Sequence, residues 1–243
     1  MHLLPAILVA CLAPFQNSPQ EGKPGAPAAF QADWGKLPLA PKDLARELTE
    51  MMRLDQLHRV AISWGTTDPQ ELACLKALDD DAHMIEIQRR WKAGVSLPEK
   101  LKAELFAKQT ILDRALFARL VEIIKVQGYP DPKRLSIDAP SPVPILIHAD
   151  LAEFGKHQDL FLREVMAGNM PPKEYAALTD RKRQHAGEQQ LYGTCSAFSR
   201  ELNKVLAPDI LDIEVTNRAR AKIGLEPLKE YRIVKPKRAP ANK

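Results

Sequence analysis

Within five residues, Asp55-Gln56-Leu57-His58-Arg59 brings together a carboxylate, an amide and a guanidinium. Asp55 and Arg59 are four apart and share a helix face, where they can form an ordinary intrahelical pair of small worth or present both groups to a ligand. His148-Ala149-Asp150 follows the apolar run Ile145-Leu146-Ile147, which predicts a partly buried imidazole. Such a ring needs a hydrogen-bond partner, and a carboxylate would fix its tautomer. Asp150 is only two residues on and points elsewhere in a helix. The orienting acid is therefore expected from another segment, with Asp55 and Asp180 as the candidates. Asp180-Arg181 lies where a helix has spent its apolar residues Tyr175, Ala176 and Leu178 and turns polar. Gln190, Tyr192 and Thr194 alternate, so an extended chain would line them along one side.

These groups suggest one shared polar pocket for a small-molecule or anionic ligand. His148 would act as general acid/base, with Asp150 and Asp180 as its catalytic acids and Arg59 or Arg181 as an anion clamp. Asp55, Gln56, Gln190, Tyr192 and Thr194 complete the expected ligand-binding set. The alternative is a non-catalytic binding or interaction module whose polar network holds the helices together. The sequence has no nucleophile elbow, P-loop, dinucleotide fingerprint or HExxH. His148, Asp150 and His157 have no established metal-ligand spacing, and neither a metal nor another cofactor is expected.

The elements that must position these groups are mainly α: a single helical domain of six to seven helices with at most a small β-hairpin. Leu44, Leu48, Met51, Met52 and Leu54 recur at helical spacing from Pro41 to about Ser63. Asp68-Pro69 restarts the chain as N-cap and first helical residue. A second helix with Leu72, Leu75, Leu78, Ile85 and Trp91 follows, Cys74 being read as a small buried apolar residue and Asp79 to Asp81 as a solvated face. A third opens at Ser96-Leu97-Pro98-Glu99 with capping-box features. Its stripe of Leu101, Leu105, Leu112, Leu116, Leu120, Ile123 and Ile124 runs to Gly128. "VPILIHADLAEFG" suits a short helix or a strand, and its helical neighbours favour helix. Two more helices end at glycines, "QQLYGTCSAF" reads as strand or extended turn, and a last helix spans about Val215 to Ile223.

Leu3 to Leu12 is apolar but shorter than the roughly 20 residues that span a bilayer. It has the form of a secretory signal core, so export to the periplasm or cell envelope is expected. Leu8-Val9-Ala10-Cys11 resembles a lipobox, so membrane attachment would come through a signal or a lipid on Cys11. The expected division is a signal-like segment at 1–20, a flexible linker at 21–40, the helical domain at 41–231 and a disordered basic tail at 232–243. The net charge is +4, and the tail carries five basic residues and no acid, which leaves the rest at −1. A near-neutral body argues against a nucleic-acid partner. The three cysteines leave a Cys74–Cys195 bridge open in an exported protein.

Several pieces together, in order, resemble a bacterial family known as domain of unknown function family 6624. They are "LARELTEMMRLDQLHR", "GYP", "IHAD", "TDR", "QLYGT" and "RARAKIGLEPLKEY", covering about residues 41–231. The resemblance departs at Ile147, where the family pattern has glutamine, and at Tyr129, where tryptophan is common. It implies that Asp55, Gln56, Arg59, His148, Asp150, Asp180, Arg181, Gln190, Tyr192, Gly193 and Thr194 belong to one pattern. It implies no particular reaction.

Overall fold

The computed structural model describes residues 34–199 and 204–229. The signal-like segment, Cys11, most of the expected linker and the basic tail lie outside these residues. Helices dominate: α1 Pro41–Asp55, α2 Arg59–Trp64, α3 Pro69–Lys76, α4 Asp80–Lys92, α5 Glu99–Gln127, α6 Pro132–Leu135, α7 Val143–His148, α8 Leu151–Lys156, α9 Gln158–Met166, α10 Pro172–His185 and α11 Ile213–Lys222. The strands β1 Ala197–Ser199 and β2 Lys204–Leu206 pair antiparallel, with Phe198 opposite Val205. The chain is thus mainly α, as its periodicity predicts. The helices are more numerous than expected because several predicted ones are broken.

The long helix α5, about 44 Å at 1.5 Å per residue, is the axis of the main core. Leu116, Leu120, Ile123 and Ile124 on it pack with Leu44, Leu48 and Met51 of α1, Ile145 and Leu146 of α7, Phe161 of α9 and Tyr175 and Ala176 of α10. Gly128 ends α5 with its N–H on the Ile124 carbonyl. The expected capping box at Ser96 does not form: Pro98 is the N-cap, without a side-chain hydrogen bond. The Asp68 cap does form, accepting from the Gln70 N–H at 3.0 Å.

The last residues of the expected linker belong to the fold. Trp34, Leu37 and Leu39 pack against the main core. The buried Arg119 guanidinium binds Glu47 (2.6 Å) and donates to the Gly35 carbonyl, and the Leu39 N–H donates to Gln127 (2.8 Å). An apolar trio on a short connection thus finds a groove beside α1 and α5, which composition alone does not reveal.

A smaller core lies to one side, where Trp64, Leu75 and Ile87 join α2, α3 and α4. Arg90 locks it by donating to the Trp64 carbonyl (3.0 Å), pairing with Glu71 and Glu86, and lying over the Trp64 ring. The predicted second helix breaks before Asp80, where the Asp79 side chain caps α4 by accepting from the Ala82 N–H. Leu78, Ile85 and Trp91 face outward, and Cys74 is exposed rather than buried. Cys74 and Cys195 are not bridged. No described helix is long and apolar enough to cross a membrane.

Candidate functional site

The expected first helix stops at Asp55 and restarts at Arg59, and the site is built around this break. Asp55 is 1% exposed, on the buried face of α1 with Met51 and Leu54. Its carboxylate meets His148 at the end of α7, with Nδ1 2.9 Å from Oδ1 and 3.1 Å from Oδ2. A carboxylate only accepts, so Nδ1 carries the proton and donates it. Gln56 donates to Asp55 Oδ2 at 2.6 Å. With Nδ1 engaged, Nε2 is the nitrogen left for a reacting group, on a ring whose side chain is 24% exposed. Of the two acids expected to orient His148, Asp55 is the one that does so.

Arg59 lies in a second layer. Its Nη2 pairs with Asp113 of α5 at 2.5 Å, and its Nε donates to the Asp55 backbone carbonyl at 3.1 Å. It therefore braces α1 against α5, and the guanidinium expected to serve as an anion clamp is engaged by Asp113. The fully buried Gln109 joins this layer, donating to Asp113 Oδ1 (2.9 Å) and the Leu54 carbonyl (3.3 Å) and accepting from the His58 N–H (3.0 Å). Neither Gln109 nor Asp113 was among the expected site residues. Gln109 nevertheless occupies a place in the apolar stripe, four after Leu105 and three before Leu112. A polar residue at a core position is the signal that identifies it.

The remaining candidates have other tasks. Asp150 is exposed and caps α8, accepting from the Ala152 N–H at 2.8 Å and the Glu153 N–H at 3.3 Å. It is an N-cap, and it makes no hydrogen bond to His148, of which it was expected to be a catalytic acid. Asp180 is 0% exposed and accepts four hydrogen bonds: from the N–H groups of Leu191 (2.8 Å), Tyr192 (2.9 Å) and Thr194 (2.8 Å), and from Thr194 Oγ1 (2.7 Å). Its lone pairs go to the 191–194 loop, and none goes to His148, of which it was expected to be a catalytic acid. Arg181 follows it on α10, half-buried.

Gln190, Tyr192 and Thr194 do not form an open wall. The Gln190 amide clamps the Cys195 backbone in both directions, donating to its carbonyl at 2.6 Å and accepting from its N–H at 2.8 Å. Tyr192 is buried with its ring edge-on to Tyr175, and burial, chiefly, pushes its phenol up to about 12. Gly193 lets the loop double back: its φ is +63°, and a Cβ there would collide with Leu228. The loop is strapped from outside by Arg220, which donates to the Tyr192 carbonyl at 2.8 Å, while Asn217 accepts from the Leu228 N–H at 2.7 Å. The terminal "RARAKIGLEPL" is thus part of the same clasp. The hydrogen bonds of the expected site residues fall into two groups, an Asp55–His148 pair and an Asp180 clasp.

Compared with known proteins, the chain matches no family model, no curated protein and no solved structure.

Proposed function

We propose that His148 and Asp55 form a general acid–base pair acting on a small polar molecule. The observation that carries this reading is the geometry of the pair: a buried carboxylate on Nδ1 of a ring that is itself partly exposed. Such a carboxylate sets the tautomer and stabilises the imidazolium formed when Nε2 takes a proton. Among the described residues, His148 is hydrogen-bonded to no serine, threonine or cysteine, so the proton it takes belongs to the ligand or to a water attacking it. The resemblance to domain of unknown function family 6624, in whose pattern the counterparts of "DQLHR" and "IHAD" occur together, supports treating them as one unit. The signal-like N-terminus supports placing the reaction outside the cytoplasm.

The test begins with a thermal-shift screen of small polar compounds, since a ligand that binds the folded state raises Tm. Compounds that bind are then assayed for turnover with the wild type and His148→Asn. Loss of about 10²- to 10⁴-fold in kcat is expected for removal of a general base. Turnover unchanged in a folded His148→Asn protein would rule the reading out.

A second reading is favoured by the way the pair abuts the helix break: the network serves helix packing alone. It predicts that His148 matters for stability and not for turnover.

A further inference from the structure

The hydrogen bonds at the break between α1 and α2 have an unusual form. In an unbroken helix the His58 N–H would donate to the Leu54 carbonyl, and the Arg59 N–H to the Asp55 carbonyl. The Gln109 amide is inserted into the first of these rungs: its Oε1 accepts from His58, and its Nε2 donates to Leu54. In the second rung the Arg59 guanidinium serves the Asp55 carbonyl. Asp113 ties the two substitutes together, one oxygen on Gln109 and the other on Arg59. Side-chain insertion into the i→i−4 ladder is an established cause of helix kinks.

The consequence falls on Asp55. If the helix ran on, Arg59 would stand one turn above Asp55 on the same face, the arrangement in which Asp and Arg pair within a helix. The break and the Asp113 carboxylate draw the guanidinium away instead. The Asp55 carboxylate is then left to His148 and Gln56. We propose that Gln109 is the positioning residue of this site: by splicing the helix break, it selects His148 rather than Arg59 as the partner of Asp55. The proposal rests on the reading of Asp55–His148 as the reactive pair, and it assigns a task to a buried amide in a position where the apolar stripe calls for a hydrocarbon.

The experiment is nitrogen-15 NMR of the full chain, following the hydrogen-bonded His148 Nδ1–H and the amide exchange of His58 and Arg59. In the wild type the Nδ1 proton should resonate far downfield, as expected for a donor to a carboxylate. In Gln109→Leu that resonance should disappear while the His58 and Arg59 amides gain helical protection. Adding Arg59→Ala to Gln109→Leu should restore it, because the competing cation is gone. A purely structural Gln109 would lower Tm and leave the His148 signature in place, and that result overturns the proposal. Should Gln109→Leu fail to fold, Asp113→Asn, at a side chain only 13% exposed but on the outer layer of the network, releases Arg59 by removing its counter-charge. It should weaken the same resonance, and an unchanged resonance there also overturns the proposal. Because the readout is a proton signal and not turnover, positioning can fail while His148 remains essential to catalysis. Equally, positioning can hold in a protein whose His148→Asn variant loses no activity.

Discussion

Asp55 and Asp180 are both buried carboxylates at or near the polar end of a helix, yet their surroundings differ. Asp180 receives four donors, three of them backbone N–H groups of a single loop. Asp55 receives a glutamine amide and an imidazole. The first arrangement satisfies the charge with groups that do not ionise near neutral pH, so it holds the loop geometry. The second meets the charge with a titratable group that can pass a proton on. Burial alone does not separate a structural acid from a reactive one; the chemistry of its donors does.

Substitution of each network tests that difference. Asp180→Ala would leave the loop N–H groups and the Thr194 hydroxyl unpaired, each a desolvation cost of about 1–3 kcal/mol. These costs are not additive, so a loss of at least about 3 kcal/mol is expected in urea unfolding, with rapid amide exchange across 190–195. His148→Asn keeps a donor for Asp55 on a side chain that already reaches solvent. It should cost less than about 1 kcal/mol in the same measurement. Equal losses from the two would erase the comparison and favour the network that serves packing alone.

How far these roles were legible in the sequence depends on the kind of partner. Helix starts such as Asp68-Pro69 and stops such as Gly128 are local signals, and they hold. The Asp55–His148 pairing was open to inference because a partly buried imidazole calls for an acid and few acids occupy suitable places. The break at 56–58 was hidden: nothing in "DQLHR" is averse to helix, and the amide that meets the broken rung, Gln109, is 51 residues away from His58. The task of Asp180 was hidden for another reason. Most of its partners are backbone N–H groups, which every residue except proline carries, so no residue type announces them. The alternation of Gln190, Tyr192 and Thr194 suggested an extended wall, but Gly193 turns the chain back, and their polar atoms close inward.

A partly buried acid sharpens the contrast. Glu174 of α10 has a single hydrogen-bonded donor among the described residues, the buried Tyr129 hydroxyl at 2.9 Å. Burial, only partly offset by that bond, holds its carboxyl above the ordinary value of 4.5. The fold therefore favours the neutral acid. Its contribution is fully present below the unfolded value and is lost as pH rises through the higher folded value. Glu174→Gln keeps an acceptor for the Tyr129 hydroxyl without a charge to desolvate. Its stability should match the wild type near pH 4 and exceed it at pH 7, by less than about 1 kcal/mol. Urea midpoints of the two proteins across that range check the sign. A variant less stable than the wild type at pH 7 would show that the Tyr129–Glu174 bond outweighs the desolvation of the carboxylate. Glu174 would then stand with Asp180, as a charge the fold has learned to hold.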